Sequence, residues 1–416
     1  MHSTTLRRIG PIAAAVFLLA HQTQARAEGN PLTLTVSESI STDNNFLRRP
    51  GGGPSETTSN TTAGLTYNKP LGRQNYNLSV AANASRHHEF KAYDFDGYNL
   101  SMGVNSGVGA KGYLSLQHSR SSSQQNPDEQ TGQRFVDKVK QHSTSLFGQY
   151  GVSGRMGLNA NLVSSGTEYS RSIANDQDSV GLRVGVSYSP SDLLSLGLGV
   201  RRTDRELTRL DQKLRRYDYD LSSSWMVTGY STLGATIALS KEQRDGDPES
   251  DFKALTGSMD WRYTPGGKLS YDLSVSRDTQ NSGLPSQIFI NTGRTSTSND
   301  VTAILTNQAK NQLTTSVGGR VNWAISSKTS AAVSLSYSRF EDSREAQVEG
   351  SISGLESQFL PSQGHQTSLN VSGRYTPLRW LNLGCSVGAY KRAGQRLSVA
   401  GYQGQTLGCD ASVTLN

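Results

Sequence analysis

The segment Leu194-Ser195-Leu196-Gly197-Leu198-Gly199-Val200 alternates large apolar residues with serine and glycine. Residues 269–276 repeat the pattern as Leu-Ser-Tyr-Asp-Leu-Ser-Val-Ser. Successive side chains of a β-strand point to opposite faces, so a period of two predicts strands with one apolar and one polar face. These segments therefore favour an all-β fold.

The composition of the whole chain agrees with this pattern. Only 34% of the 416 residues are hydrophobic, 18% are charged and 42 are glycine. Such polarity resembles that of disordered chains, but disordered segments do not keep short, strictly alternating apolar runs. The composition disfavours both an ordinary soluble enzyme and a helical membrane protein.

Residues 1–27 have the organisation of a secretory signal peptide. Arg7 and Arg8 precede an apolar stretch at 9–20, and an Ala-Arg-Ala sequence follows at 25–27. The apolar stretch is too short to span a bilayer, so we predict that residues 28–416 form the exported chain. Loss of Arg7, Arg8 and Arg26 lowers the formal charge from +7 to +4, which does not indicate a nucleic-acid partner.

Eight short turns rich in glycine, proline and polar residues divide the exported chain into pairs of strands. They lie at residues 69–72, 108–111, 151–154, 189–192, 228–230, 264–267, 326–328 and 376–378. Adding a first strand at 31–40 and a last one at 405–416 predicts eighteen strands. Long polar connections at 42–60, 121–138, 281–311 and 342–364 separate the pairs. Short periplasmic turns and long extracellular loops are typical of a single outer-membrane β-barrel.

The strand count depends on residues 300–307, which also resemble a strand. A further pairing strand there would break the even number that such barrels require, so we place it in a long loop. Sixteen strands is the alternative count.

Alternation alone does not distinguish a barrel from a soluble β-sandwich or β-helix. The strand ends favour the barrel, because aromatic residues precede seven of the short turns as in a membrane-interface girdle: Tyr67, Tyr150, Tyr188, Trp225, Tyr263, Trp323 and Tyr375.

Basic residues end seven strands at the opposite end, on the same face as the apolar residues. At the outer edge of the lipid band they could pair with lipopolysaccharide phosphates, or they could simply mark strand ends. These rim candidates are Arg86, Arg120, Arg202, Lys241, Arg277, Arg339 and Lys391.

The polar face of each strand is expected to line the lumen, which at this strand number is wide enough for a water-filled channel. Its serine, threonine and asparagine residues suit a carbohydrate, and they suit water and other small solutes almost equally well. The charged pore-lining candidates carry both signs and define no simple ion filter: Arg183, Asp218, Asp220, Asp260, Arg262, Asp272, Arg320, Arg374 and Asp410.

Cys385 and Cys409 are the two cysteines of the chain, and they lie on opposite arms of the last predicted hairpin. A disulfide is favoured in an oxidising compartment, and two free lipid-facing thiols are the alternative. No catalytic, cofactor or metal motif stands out. Gly107, Gly109 and Gly112 match a phosphate-loop spacing but open no helix. We therefore expect no enzyme and no cofactor.

The segment Asp43-Asn44-Asn45-Phe46-Leu47-Arg48 resembles the signature that opens the EpsL-like outer-membrane β-barrel proteins of exopolysaccharide operons. The closing hairpin around Cys385 and Cys409 is also similar to that family. The signature residues are Asp43, Asn44, Asn45, Phe46 and Arg48. The resemblance implies export of a secreted polysaccharide through the barrel, in cooperation with periplasmic polysaccharide-export proteins.

Three hypotheses about function follow. The first is an outer-membrane channel for export of an exopolysaccharide to the cell surface. The alternatives are a general or sugar-selective porin for small solutes and a structural or adhesive barrel whose loops bind surfaces. In each case the expected partners include outer-membrane lipid and lipopolysaccharide, and the location is the outer membrane of a Gram-negative bacterium.

Overall fold

The computed structural model describes residues 31–125, 137–152, 155–171, 173, 176–209, 211–245, 252–282, 287–290, 302–305, 310–343, 363–394 and 401–415. The predicted signal peptide lies outside these residues.

Twenty strands account for most of the described chain. Their bounds are β1 Leu32–Asp43, β2 Glu56–Leu71, β3 Gln74–His87, β4 Phe95–Val108, β5 Gly112–Gln125, β6 Asp137–Gly151, β7 Met156–Tyr169, β8 Gln177–Ser191, β9 Leu194–Leu207, β10 Gln212–Thr228, β11 Ser231–Arg244, β12 Phe252–Tyr263, β13 Leu269–Ser282, β14 Gln287–Ile290, β15 Thr302–Leu305, β16 Lys310–Ala324, β17 Thr329–Ser343, β18 Gln363–Leu378, β19 Leu381–Gly394 and β20 Tyr402–Leu415.

Eighteen of these strands form one closed antiparallel barrel. Each barrel strand pairs with the next along the chain, and β20 pairs with β1 to close the sheet. The barrel confirms the eighteen-strand prediction against the alternative of sixteen. Strands β14 and β15 pair only with each other in a separate hairpin, so the strand-like segment at 300–307 does belong to a connection outside the barrel.

The first connection is shorter than the sequence pattern predicts. Strand β1 continues to Asp43 and β2 begins at Glu56, whereas the predicted loop covered residues 42–60. Thr57, Thr58 and Ser59 extend the ladder by pairing with Thr42, Ser41 and Ile40. Threonine is polar, but its branched side chain favours extended backbone, so polarity alone misplaced these strand ends.

Directly paired residues on neighbouring strands lie on the same side of the sheet. The strand register therefore assigns each residue of the barrel to its inner or its outer face. Leu182, for example, pairs with Arg202, which pairs with Tyr217 and then Lys241. The face that contains these residues also holds most of the exposed large apolar side chains, such as Leu198, 58% exposed. This apolar face is the outside of the barrel.

The seven predicted girdle aromatics all lie on the outward face, near the short turns. Trp261, Tyr263 and Tyr271 stack in succession there, with ring centroids 5.7 and 6.1 Å apart. The outward Glu38 lies away from the extracellular strand ends, and its carboxylate accepts hydrogen bonds from the hydroxyls of Ser59 and Thr61. No helix among the described residues is long and apolar enough to cross a membrane.

Candidate functional site: the lumen and its extracellular mouth

All nine predicted pore-lining residues lie on the inward face of the barrel. They are separated into two groups by position around the wall. Arg183, Asp218 and Asp220 lie on β8 and β10, whereas Asp260, Arg262, Asp272, Arg320, Arg374 and Asp410 lie between β12 and β20.

Arg183 and Asp220 form an enclosed ion pair in the first group. The guanidinium donates to both oxygens of the carboxylate, at 3.1 Å from Nε and 2.5 Å from Nη2, and Nη1 donates to Asn159 at 2.8 Å. Strand β9 lies between β8 and β10, so the Arg183 side chain crosses it above Gly199. The bidentate geometry fixes the guanidinium against the wall.

Gly199 is required for this crossing. A Cβ at that position would lie 2.5 Å from Nη2 of Arg183 and 2.7 Å from Cζ. We expect Gly199→Ala to displace the guanidinium and leave Asp220, whose side chain is 7% exposed, without its partner. Breaking a buried pair by removing one side costs about 3–5 kcal/mol, so a displaced pair is expected to lower the free energy of unfolding by about 1–3 kcal/mol.

The matched control is Gly373→Ala, because a Cβ at Gly373 meets nothing within 4 Å. Urea unfolding in detergent micelles, followed by tryptophan fluorescence, measures both variants. Equal unfolding midpoints for the two would contradict the role given to Gly199.

Arg216 organises a second inward network that spans four strands. It donates to Asp218 at 2.7 Å, to Ser240 and Asp278 at 3.1 Å, and to Thr279 at 2.8 Å. Arg216 and Asp278 are not among the pore-lining residues predicted from the sequence. The alternation of side chains along a strand is a signal that identifies them. Arg216 is two residues from Asp218 on β10 and Asp278 is six residues from Asp272 on β13, so each shares the inward face with a predicted residue.

The second group of charges is more open. Arg262 donates to Asp272 at 2.8 Å, and Arg320 donates to Asn322 at 2.7 Å. Arg320 and Arg374 are exposed, and so is Arg201 on the inward face of β9. None of these three arginines has a carboxylate within 4 Å among the described residues. They present unpaired guanidinium groups to the lumen.

The opposite part of the wall is uncharged. In the described part of β1–β7, the inward-facing acidic, basic and histidine residues occur only at the extracellular strand ends, at Asp43, Glu56, His87 and Asp137. Below them the inward positions are mainly serine, threonine, asparagine, glutamine and glycine. The lumen therefore has a neutral hydroxyl- and amide-rich wall facing a charged wall.

The predicted signature residues build the extracellular mouth on the lumen side. Arg48 Nη1 lies 2.6 Å from Asp43 Oδ2, and its guanidinium carbon lies 3.9 Å from the centre of the Tyr390 ring. The Tyr390 hydroxyl donates to Asp43 at 2.7 Å. Arg48 has a φ of 54°, a left-handed conformation that non-glycine residues adopt only when neighbouring contacts hold them.

Asn45 joins the first loop to the last strand. Its side chain is buried, and Nδ2 donates to the carbonyls of Arg49 at 2.9 Å and Gln403 at 2.8 Å. Its Oδ1 accepts the backbone N–H of Arg49 at 2.9 Å. Asn44 adds a contact to β20 by accepting the N–H of Gln405 at 2.8 Å.

Glu56 holds the connection between β3 and β4 in the same region. Its carboxylate is 2% exposed and accepts the backbone N–H groups of His88, Glu89 and Phe90 at 2.5, 3.2 and 2.8 Å. Phe46 packs against Phe90 and Tyr93, with ring centroids 5.6 and 5.3 Å apart. We call Asn45, Phe46, Glu56, Phe90 and Tyr93 the mouth cluster.

Burial distinguishes the mouth from the rest of the lumen. The buried large apolar residues of the structure lie around this mouth: Tyr93, Phe95, Val139, Leu207, Leu214, Phe340 and Tyr402. Farther towards the turns, inward residues such as Asp260 and Asp410 are exposed. The large buried apolar side chains thus concentrate along the extracellular edge, whereas the wall below it contains both buried charges such as Asp220 and exposed ones such as Asp260 and Asp410.

The two faces of the barrel decide where the molecule resides. Its outward face carries an apolar band bounded by aromatic residues, and its inward face is polar, which is the arrangement of barrels in the outer membrane. The protein is an outer-membrane β-barrel. Its rim candidates, Arg86, Arg120, Arg202, Lys241, Arg277, Arg339 and Lys391, all lie on the outward face near the extracellular ends of their strands.

Solved structures with a similar arrangement of strands include two Pseudomonas aeruginosa proteins. OprD is 13% identical, with 95% of this chain and 99% of that chain covered and a TM-score of 0.46. OccK5 (OpdH) is 10% identical, with 92% and 98% covered and a TM-score of 0.45. A bacterial polysaccharide outer membrane secretin is 10% identical, with 94% and 99% covered and a TM-score of 0.36.

These likenesses extend along nearly the whole barrel, but at such identities and TM-scores they indicate nothing about substrate. No protein-family model matches the sequence, and no curated protein matches it significantly.

Proposed function

We propose that the barrel is a passive channel for small hydroxyl-rich solutes, both neutral sugars and sugar acids. The division of the lumen carries this proposal: an uncharged wall over β1–β7 faces a wall with exposed guanidinium groups. The proposed role is transport and includes no catalysis.

The uncharged wall suits a polyhydroxylated solute. Serine and threonine hydroxyls donate and accept, and asparagine and glutamine amides do both in fixed directions, so a sugar finds many weak partners. Weak and numerous contacts favour passage, because a solute must also leave.

The charged wall adds a preference for anions. Arg201, Arg320 and Arg374 are exposed and have no carboxylate partner among the described residues, whereas Arg183, Arg216 and Arg262 are ion-paired. A free guanidinium binds a carboxylate through two parallel hydrogen bonds. Asp260 and Asp410 lie on the same wall and oppose this preference, which the three arginines outnumber.

Neutralising the three free arginines is expected to slow sugar acids selectively. In liposome-swelling assays, Arg201→Gln/Arg320→Gln/Arg374→Gln should reduce the entry rate of gluconate or galacturonate several-fold and leave glucose nearly unchanged. The matched control, Arg120→Gln/Arg277→Gln/Lys391→Gln, removes three outward charges and should change neither rate. An equal loss for glucose and gluconate would contradict the assignment, and a wild type that admits no sugar would contradict the channel itself.

Export of an exopolysaccharide is the second candidate. The resemblance of 43–48 to the EpsL-like signature motivates it, and the uncharged wall supports it, because a neutral polymer would meet hydroxyl and amide groups throughout its path. Periplasmic export proteins would then be required as partners. Deletion of the gene separates the two candidates: loss of released polymer with normal growth on limiting sugar favours export, and the reverse result favours the solute channel.

A further inference from the structure

A row of outward residues crosses four neighbouring strands near their extracellular ends. Register places Arg202 of β9 opposite Tyr217 of β10, Tyr217 opposite Lys241 of β11, and Lys241 opposite Lys253 of β12. The row therefore presents three cations and one phenol side by side on the lipid side of the barrel.

The pair Lys241 and Lys253 is unusual among the rim cations. Like charges directly opposite each other destabilise a sheet, and neither lysine forms an ion pair with a described residue. Elsewhere on the rim, Arg86 lies 2.5 Å from Asp96, and Arg339 lies 2.9 Å from Glu341. The rim cations without an acid partner among the described residues, Arg120, Arg277 and Lys391, have no lysine or arginine directly opposite. Two adjacent ammonium groups at the edge of the lipid band, with no carboxylate partner in the described part of the chain, favour an anionic partner.

An apolar groove lies directly beneath this row. The next outward row is Val200, Tyr219, Leu239 and Leu255, and the row after it is Leu198, Leu221, Ile237 and Gly257. The side chains of Tyr219, Ile237 and Leu239 are 57, 56 and 64% exposed. The cavity of this groove is lined by Leu198, Val200, Tyr219, Leu221, Ile237 and Leu239. Gly257 lies beside it, where a Cβ would clash with the carbonyl oxygen of Thr236.

The cations and the groove form one amphiphilic surface whose polar end faces outwards. We propose that the outside of β9–β12 is a binding site for a single acyl glycolipid bearing phosphate groups, the chemistry of the lipid A portion of lipopolysaccharide. Lys241 and Lys253 hold a phosphate, Tyr217 donates its hydroxyl to the headgroup, and the acyl chains lie in the groove. Arg202 is held by Asp204, at 2.9 Å, and borders the site. The proposal does not depend on which solute passes through the lumen.

Native mass spectrometry of the detergent-purified protein, titrated with bisphosphorylated lipid A, tests the site. Lys241→Gln/Lys253→Gln should weaken binding at least about tenfold, the change expected when one to two charge-assisted contacts are lost. The matched control, Arg120→Gln/Lys391→Gln, removes two rim cations outside the site and should bind as the wild type does. Equal affinities for the two double variants would overturn the proposal.

Two further measurements test the contributions of the acyl chains and of the phosphate groups separately. Ile237→Ala/Leu239→Ala should weaken lipid A while leaving inorganic pyrophosphate unchanged, and dephosphorylated lipid A should bind the wild type weakly. Pyrophosphate that binds as tightly as lipid A, with no effect of the groove variant, would indicate a free-phosphate site and overturn the lipid assignment.

The connection between β11 and β12 contains Asp247, Glu249 and Asp251, which lie outside the described residues. Their neutralisation in Asp247→Asn/Glu249→Gln/Asp251→Asn should leave lipid A binding unchanged or tighten it. A loss of binding in this variant would mean that the loop carboxylates hold the lipid through a bridging cation, which would contradict direct binding by the lysines.

Discussion

Glu56→Ala is expected to loosen the extracellular mouth and increase the flow of solutes through the barrel. The substitution removes the carboxylate that accepts three backbone N–H groups, those of His88, Glu89 and Phe90. Each buried donor left without a partner costs about 1–3 kcal/mol. Because 1.4 kcal/mol changes an equilibrium about tenfold, the open form of the 88–94 connection should rise by more than about tenfold.

Two measurements check this expectation. Hydrogen exchange should accelerate in peptides covering 88–94, and liposome-swelling rates should rise for the larger sugars most. Glu206→Ala removes an exposed outward carboxylate at the end of β9 and serves as the control. Faster exchange without faster swelling would show that the mouth cluster does not restrict the channel.

Removal of the disulfide should produce the largest loss of stability. Cys385 and Cys409 are directly opposite each other on β19 and β20, and their Sγ atoms are joined. The bond closes a loop with a sequence separation of 24, for which restriction of the unfolded chain contributes roughly 3 kcal/mol. Cys385→Ala/Cys409→Ala should therefore unfold at a clearly lower urea concentration.

The position of the disulfide adds a kinetic expectation. Both cysteines lie on the outward face, between the pairs Val387–Leu407 and Leu383–Ala411 of the same face, so lipid or detergent should shield the bond from a water-soluble reductant. Phosphine reductant should leave the folded protein oxidised and reduce it only in urea. An alanine double variant with the wild-type unfolding midpoint would contradict the stabilising role, and rapid reduction of the folded barrel would contradict the shielded position.

The strand pattern could be predicted well from the sequence because one rule, the alternation of side chains, applies along every strand. The same parity places Arg183 and Arg374 inside and Arg120 and Lys391 outside. Lys253 and Arg216 are not among the predicted residues, although the same parity places Lys253 outside and Arg216 inside. The end of β1 was misplaced because threonine is polar yet favours extended backbone.

The mouth cluster could not be derived from local pattern. The Asn45 side chain binds the carbonyl of Gln403, 358 positions away along the chain, and Tyr390 reaches Asp43 across 347 positions. These contacts exist only because the barrel closes β20 against β1. The sequence singled out residues 43–48 only by a resemblance, whereas the contacts by which they hold the first loop against the last strand required the fold.

Single-channel recording in planar bilayers tests the central claim most directly. For both the wild type and Glu56→Ala under a potassium chloride gradient, we predict discrete ohmic conductance steps and a reversal potential whose sign indicates anion selectivity. The steps should be more frequent or larger for the variant. Lipid bilayers that stay silent with both proteins, or currents carried mainly by cations, would contradict a water-filled lumen lined by free guanidinium groups.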